Sequence, residues 1–201
     1  MKEMTLEDAS TSSRSKGRPV SIDRDAVARV ALELFADRGY EQTSMEDIAR
    51  AAGVGRKSLY RHFANKADLV WGGMEPVVEA VERALGASAP AAASPSSVLE
   101  ALREALIAAV AGLPDLGLTR GRLRLISKHP ELMGRSYDFL GSRRERTAVY
   151  LTTGGISEET ARYLCAALSA ASFEAWLQWA ASEESSPVPF LQRGLAVLTA
   201  A

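Results

Sequence analysis

The sequence predicts an all-α fold, and two observations carry that reading. Ala, Leu, Glu and Arg dominate the composition, while few apolar residues are β-branched or aromatic, which favours helices. Apolar residues also recur three and four positions apart in segment after segment, the spacing of one helical face, and clusters of Gly, Pro and Ser separate those segments.

Composition narrows the function classes. With 201 residues the chain can bury a substantial core without staples. Its 24 Lys and Arg nearly balance 25 Asp and Glu, so it is not a basic coat for nucleic acid, and the placement of charge matters more than its sum. One cysteine, Cys165, excludes an intramolecular disulfide and suits a reducing cytoplasm. The polar N-terminus offers no apolar signal-peptide core, and no apolar run reaches the ~20 residues that span a bilayer. A soluble, cytoplasmic protein without membrane partners is expected.

Residues 1–20 are rich in Ser, Thr and charge and lack periodicity, as in a disordered arm. Within the arm, Lys16 and Arg18 flank Gly17, a pattern suited either to a solvated tail or to a narrow, negative DNA minor groove. Residues 21–68 are expected to form a DNA-binding domain. Val27, Val30, Ala31, Leu34 and Phe35 make one apolar face of its first helix. Gly39 ends that helix, and Tyr40 should pack back on it.

The next stretch reads as helix, tight turn, helix. Ser44 is a good N-cap, with Asp47 three residues on as in a capping box. Ile48, Ala49 and Ala52 face inward, Gly53 stops the helix, Val54 plugs the gap and Gly55 opens the second helix. In that helix Leu59 and Phe63 fall together toward the core. Lys57 and Arg61 lie opposite them with Ser58, while Arg56, Tyr60 and His62 flank. No acid interrupts Arg56, Lys57, Arg61 and Lys66. Arg or Lys on such a face can donate to guanine O6 and N7. Ser58, Tyr60 and His62 suit phosphate oxygens. Asn65 should cap the following helix, with Asp68 at its third position, and Lys66 then sits at a helix start that favours phosphate.

Gln42 to Ala49, Ala52-Gly53-Val54 and Leu59 to Leu69, read as LYRHFANKADL, resemble the TetR/AcrR family of bacterial transcriptional regulators over Asp23 to Leu69. The resemblance implies an N-terminal three-helix helix-turn-helix domain and a C-terminal helical ligand-binding and dimerisation domain; with no Gly-rich phosphate loop, nucleophile elbow or metal spacing in the sequence, an enzyme is not expected. It implies phosphate contacts for Thr43, Ser44, Tyr60, His62 and Lys66. Arg56, Lys57, Ser58 and Arg61 correspond to the variable positions that read bases. Gly55 departs from the family's frequent Ser cap, at a cost of a few tenths of a kcal/mol.

Residues 69–201 are expected to hold the effector and the dimer contact. Asn65 to about Leu85 reads as one connecting helix, which Pro76 can kink, with Trp71 in the core or against a ligand. Gly86 to Ser97 reads as a flexible loop. Helices follow over Val98 to Ala111, Thr119 to Lys128 and Glu131 to about Leu151. Arg120, Arg122, Arg124, Lys128, Arg135, Arg143, Arg144 and Arg146 crowd this middle, as a solvated face or as an anion site. On the second reading Arg122, Arg124, His129, Tyr137 and Arg143 hold the charged end of an effector. Leu125, Leu132, Met133 and Phe139 line an apolar cavity, and Trp176 is a further ligand contact. The string Arg122 to Ile126 with His129 to Leu132 and Arg135 is similar to a TetR subgroup that includes the mycofactocin-system regulator, which implies acyl-CoA-type ligands. His129 stands alone before a proline, and no Cys or His spacing marks a metal site, so neither metal nor other cofactor is expected.

Ser157 should start a long helix to about Ala181, with an apolar stripe of Ala161, Leu164, Leu168, Ala171, Ala175 and Trp179 and a small-residue line of Ala166, Ala167 and Ala170. Pro189 to Thr199 is the last helix. Such a terminal pair can pack as core or dimerise. The expected whole is a homodimeric repressor released from its double-stranded DNA operator by a small-molecule effector. A helix-turn-helix protein that binds DNA without an effector is the alternative.

Overall fold

The computed structural model describes residues 22–72, 75–87 and 95–198, and all regular structure among these is helical. The expected arm, with Lys16 and Arg18, lies outside the described residues, as does most of the expected loop between Gly86 and Ser97.

Helix α1 (Arg24–Arg38) starts where the Asp23 side chain accepts the Ala26 N–H at 3.0 Å. It ends at Gly39, whose φ of 91° a residue with a Cβ rarely adopts. Tyr40 turns back edge-on against Phe35, ring centroids 4.9 Å apart. Helix α2 (Met45–Ala51) carries the complete Ser44–Asp47 capping box. Gly53, at φ 65°, turns the chain into α3 (Arg56–His62), which Gly55 opens without a side-chain bond. Helix α4 (Lys66–Trp71) is capped by Asn65, which accepts the Asp68 N–H at 3.1 Å. Ile48, Leu59, Phe63, Leu69 and Val70 close this domain's core, each essentially buried.

The expected connecting helix is two helices. After α4 ends, α5 (Glu75–Ala87) starts afresh, with Pro76 as its second residue. A proline there loses no intrahelical hydrogen bond, so Pro76 begins a helix rather than kinking one. Helix α6 (Pro95–Ala108) runs on into a 3-10 turn, Ala109–Gly112. Helix α7 (Leu116–Lys128) starts three residues before its expected position, because Asp115 accepts the Leu118 N–H at 2.8 Å. The single helix expected from Glu131 to Leu151 is three: α8 (Pro130–Met133), α9 (Ser136–Phe139) and α10 (Gly141–Thr153). Breaks at Gly134 and Leu140 let this stretch bend around a space instead of filling it.

Helix α11 (Glu158–Ala181) is capped by Ser157 as expected and packs against α7, α10 and α12 (Val188–Ala196). Gly194 of α12 permits a close crossing, since a Cβ there would lie 3.1 Å from the Ala171 carbonyl oxygen. One apolar cluster joins the two halves: Ile126 and Leu132 belong with Ile48, Leu59 and Trp71. Trp71 resolves as a core residue. Its indole N–H donates to the Leu132 carbonyl at 3.1 Å, and its ring lies 4.9 Å from that of Phe139.

Candidate DNA interface and effector cavity

Leu59 and Phe63 fix the orientation of α3. With both inside, Arg56, Lys57, Tyr60 and Arg61 point outward and are exposed, Ser58 and His62 partly so. The Arg56 guanidinium pairs with Glu46 of α2 at 2.8 Å and lies over the Tyr60 ring, which braces the second helix on the first. Arg61 donates to Ser58 Oγ at 3.2 Å, one turn back on the same face. Ser44 is exposed at the start of α2, beside the Asp47 carboxylate. Hydrogen bonding from Ser44, first its side chain and then its backbone, holds the Asp47 carboxyl below the usual range. Two side chains do other work than a surface role. Thr43 is 1% exposed and its hydroxyl donates to the Gly39 carbonyl at 2.8 Å, so it ties the end of α1 to the start of α2. The Lys66 ammonium donates to the Tyr40 carbonyl at 2.7 Å and sits 4.3 Å from that ring's centre, so it anchors the α1–α2 loop.

The C-terminal half contains a cavity of about 690 Å³ between α8–α10 and α11. Met133, Leu140, Ala166, Ala170, Phe173 and Leu177 supply much of its apolar wall. Arg144 and Arg162 are its cations, Glu145 and Glu174 its acids. Arg144 lies 3.7 Å over the Tyr137 ring and donates to the Tyr137 carbonyl at 2.7 Å. Burial pushes the Cys165 thiol up, against a smaller opposing pull from Arg144. That thiol is a small apolar wall atom rather than a nucleophile.

The anion site expected from the basic cluster does not assemble. Of the five residues expected there only Tyr137 lines the large cavity, while Arg124 and His129 line a separate one of about 500 Å³ between α1 and α7, with Leu125 and Lys128. Arg122 is 3% exposed, inside the body of α7. Arg124 caps the end of α11, donating to the Ala180 carbonyl at 2.6 Å and the Ser182 carbonyl at 3.2 Å, because a helix C-terminus presents unpaired carbonyls. His129 stacks on Tyr40, centroids 4.7 Å apart, at the junction with the N-terminal domain. Trp176 packs edge-on to Trp179 at 5.5 Å, away from the cavity. The Arg143 side chain is outside the described residues. Other members also find specific partners: Arg120 reaches the Glu184 carbonyl and the Trp179 ring, Arg146 pairs with Glu82, and Arg135 with Asp68. Most of the cluster therefore fastens elements together, while Arg144 lines the cavity and Lys128 stays exposed.

Sequence reasoning missed Arg162, Phe173, Glu174 and Leu177 as cavity residues. Their signal was present beside the alanines: Arg162, Ala166, Ala170, Phe173 and Leu177 share one face of α11 at helical spacing. Ala166 and Ala170 do not support close helix contact there; they floor the cavity.

Residues 28–70 match the family model described as bacterial regulatory proteins, tetR family, and residues 96–201 match the MftR C-terminal domain. A Mycobacterium tuberculosis protein designated a candidate mycofactocin biosynthesis transcriptional regulator, MftR, is 30% identical over 171 residues, 81% of this chain and 83% of that protein. The Escherichia coli transcriptional repressor ComR is 45% identical over 56 residues, 28% of this chain and 27% of its own. Among solved structures, NalD of Pseudomonas aeruginosa, the secondary repressor of the MexAB-OprM multidrug efflux pump, superposes with a TM-score of 0.56 at 25% identity, covering 88% of this chain and 93% of that one. The fatty acid degradation regulator FadR of Bacillus halodurans shares the fold, with a TM-score of 0.55 at 18% identity over 92% and 96% of the two chains.

Proposed function

Because the chain belongs to the TetR family of bacterial regulatory proteins and carries an MftR-type C-terminal domain, we propose that it is a homodimeric repressor released from its operator by an anionic amphipathic effector of the acyl-CoA kind. The family's members are transcriptional regulators rather than enzymes. The observation that carries the effector half of the proposal is the cavity: about 690 Å³, mostly apolar, with Arg144 and Arg162 in its wall. It disfavours the alternative of a helix-turn-helix protein without an effector. An acyl chain would lie along Phe173, Ala170 and Leu177, and the phosphate-bearing end would meet the arginines.

On this reading Arg56, Lys57, Ser58 and Arg61 read base edges in the major groove, while Ser44, Tyr60 and His62 meet phosphates. Lys16 and Arg18 would follow the minor groove. Thr43 acts from behind, and Lys66 holds its loop unless DNA draws the ammonium to a phosphate. Dimerisation through α11 and α12 would set two reading heads about one helical turn apart; the exposed Tyr163 on α11 and Val197 at the end of α12 support such an interface. Among the described residues no helix is long and apolar enough to cross a membrane, which accords with work on DNA in the cytoplasm.

The segment joining α8 and α9 provides the link between sites. Met133 and Ser136 line the cavity, and Arg135 between them reaches Asn65 and Asp68 at the head of α4. An effector that spreads α8–α10 from α11 would move α4 and shift the population toward wrongly spaced heads. Fluorescence anisotropy on DNA from upstream of the protein's own gene tests the whole. Binding should be reversed by a long-chain acyl-CoA and not by coenzyme A alone. Tight binding that no acyl-CoA disturbs at high micromolar concentration would leave only the effector-independent reading.

A further inference from the structure

We propose that Glu41, His129 and Glu131 form a site for a divalent transition-metal ion of the zinc type, bridging the N-terminal domain and the C-terminal bundle. Glu41 lies between α1 and α2. His129 and Glu131 lie at the turn from α7 into α8, nearly ninety positions later in the chain. The fold brings one ligand atom from each to within 4.8 Å of the others.

The two contacts are at ion-pair range without being hydrogen bonds. The His129 Nδ1 is 3.4 Å from Glu131 Oε1 and 3.8 Å from Glu41 Oε1. Both exceed the ~2.7–3.2 Å of a good N–H···O bond. Ligand atoms about 2.0–2.2 Å from a tetrahedral ion lie roughly 3.4 Å apart; the Glu131 contact has that separation and the Glu41 contact is somewhat longer. Two carboxylates thus converge on one ring nitrogen, close enough for small movements to bring all three onto one ion.

The chemistry selects the ion. One imidazole with two carboxylates suits zinc and its first-row neighbours, while magnesium and calcium prefer oxygen alone. Three protein ligands leave a fourth position for water. The ring is also held in place: His129 stacks on Tyr40, whose own backbone and ring are fixed by Lys66. An ion here would fasten the α1–α2 loop to the α7–α8 turn, and so favour one setting of the heads.

The chain makes the test clean, because it has two histidines and one cysteine. Zinc chloride is titrated by calorimetry into the full-length, tag-free protein, with magnesium chloride as the comparison. One zinc per chain is expected, with magnesium showing no binding. Glu41→Gln and Glu131→Gln should each weaken zinc at least about tenfold, and His129→Gln should abolish it. His62→Gln and Cys165→Ser should bind as the parent does. Cobalt should give the visible absorption of a low-coordinate ion, lost in His129→Gln. Glu41 is largely exposed, so Glu41→Gln keeps the test decisive if His129→Gln fails to fold. No zinc binding at a hundred micromolar, or equal affinity in Glu41→Gln and the parent, overturns the proposal and leaves an ordinary cluster of polar side chains.

Discussion

The Arg135 guanidinium stands 2.9 Å from the Asp68 carboxylate, and this ion pair crosses from the cavity wall to the helix that follows the recognition helix. Both partners are partly exposed, so the pair contributes only about 0–1 kcal/mol to stability. Its importance lies in coupling. Arg135→Ala should leave the melting temperature nearly unchanged and DNA affinity within a few-fold, yet shrink the loss of DNA affinity that a saturating effector causes. Anisotropy with and without effector measures that ratio. An unchanged ratio would move the coupling to the Trp71–Leu132 hydrogen bond and the Trp71–Phe139 contact.

Arg61 and Lys66 should separate under mutation. Arg61→Ala should cost about 1–3 kcal/mol on the preferred operator and relax the sequence preference, if the side chain reads a base. Equal loss on every sequence would assign it to phosphate. Lys66→Met should weaken all sequences alike. A salt slope reduced by about one would mark a phosphate contact. An unchanged slope with a lowered melting temperature would mark the loop anchor to Tyr40 as its whole role.

Gly154 closes α10 against the start of α6. A Cβ there would fall 2.8 Å from both Val98 methyl groups. Gly154→Ala should therefore destabilise by about 1–3 kcal/mol through overpacking. Val98→Ala should cost roughly 2 kcal/mol for its two buried methyl groups. In combination the alanine methyl occupies the space that Val98 vacates. The double variant should be more stable than the sum of the two losses implies, a coupling that urea denaturation resolves.

Asp115 predicts how stability falls in acid. The Leu118 N–H first, and then Arg29, hold its carboxyl below the usual carboxylate range. A lowered folded value means that the unfolded chain binds the proton more readily. The stabilisation is therefore full above the unfolded value and is lost as pH falls through the folded one. Urea denaturation should show a plateau above about pH 5 and a decline below about pH 4. Asp115→Asn keeps a good helix cap while removing the charge that meets Arg29 at 2.9 Å. It should lower the plateau and flatten the decline. An acid limb of the same steepness in the variant would move the effect to other carboxylates, Asp47 among them.

What was legible in the sequence was what is local. The Ser44–Asp47 and Asn65–Asp68 caps, the turn at Gly53, the inward Leu59 and Phe63 and the start of α11 at Ser157 all depend on neighbours within a few residues. Features that depend on distant partners were not legible. Arg124 looked like an anion ligand because its carbonyl partner, Ala180, lies 56 positions away. His129 looked solitary because Glu41 approaches it only through the fold. Thr43 carried the residue type expected at a phosphate, and only burial assigns its hydroxyl to Gly39. The cavity was anticipated in kind, with Met133 and Tyr137 in its wall, but Leu125, Leu132 and Phe139 lie elsewhere, because the breaks at Gly134 and Leu140 turn other side chains toward α11.

That placement gives a direct test at Ala170. Its side chain lines the cavity in the middle of α11, with Ala166 one turn before it and Phe173 nearly one turn after. It is exposed to the cavity rather than packed in a core, so a larger side chain has space to occupy. Ala170→Phe should fill part of the 690 Å³ without the strain of overpacking. The melting temperature should hold or rise slightly, because the ring covers apolar wall that water now reaches. Operator affinity should stay within a few-fold, since no contact of the recognition helix changes. Acyl-CoA binding should fall at least tenfold, and the repressor should remain on DNA at effector concentrations that release the parent protein. Full release by the same acyl-CoA would mean that the effector binds elsewhere, and the groove between α11 and α12 near Phe190 would be the next candidate.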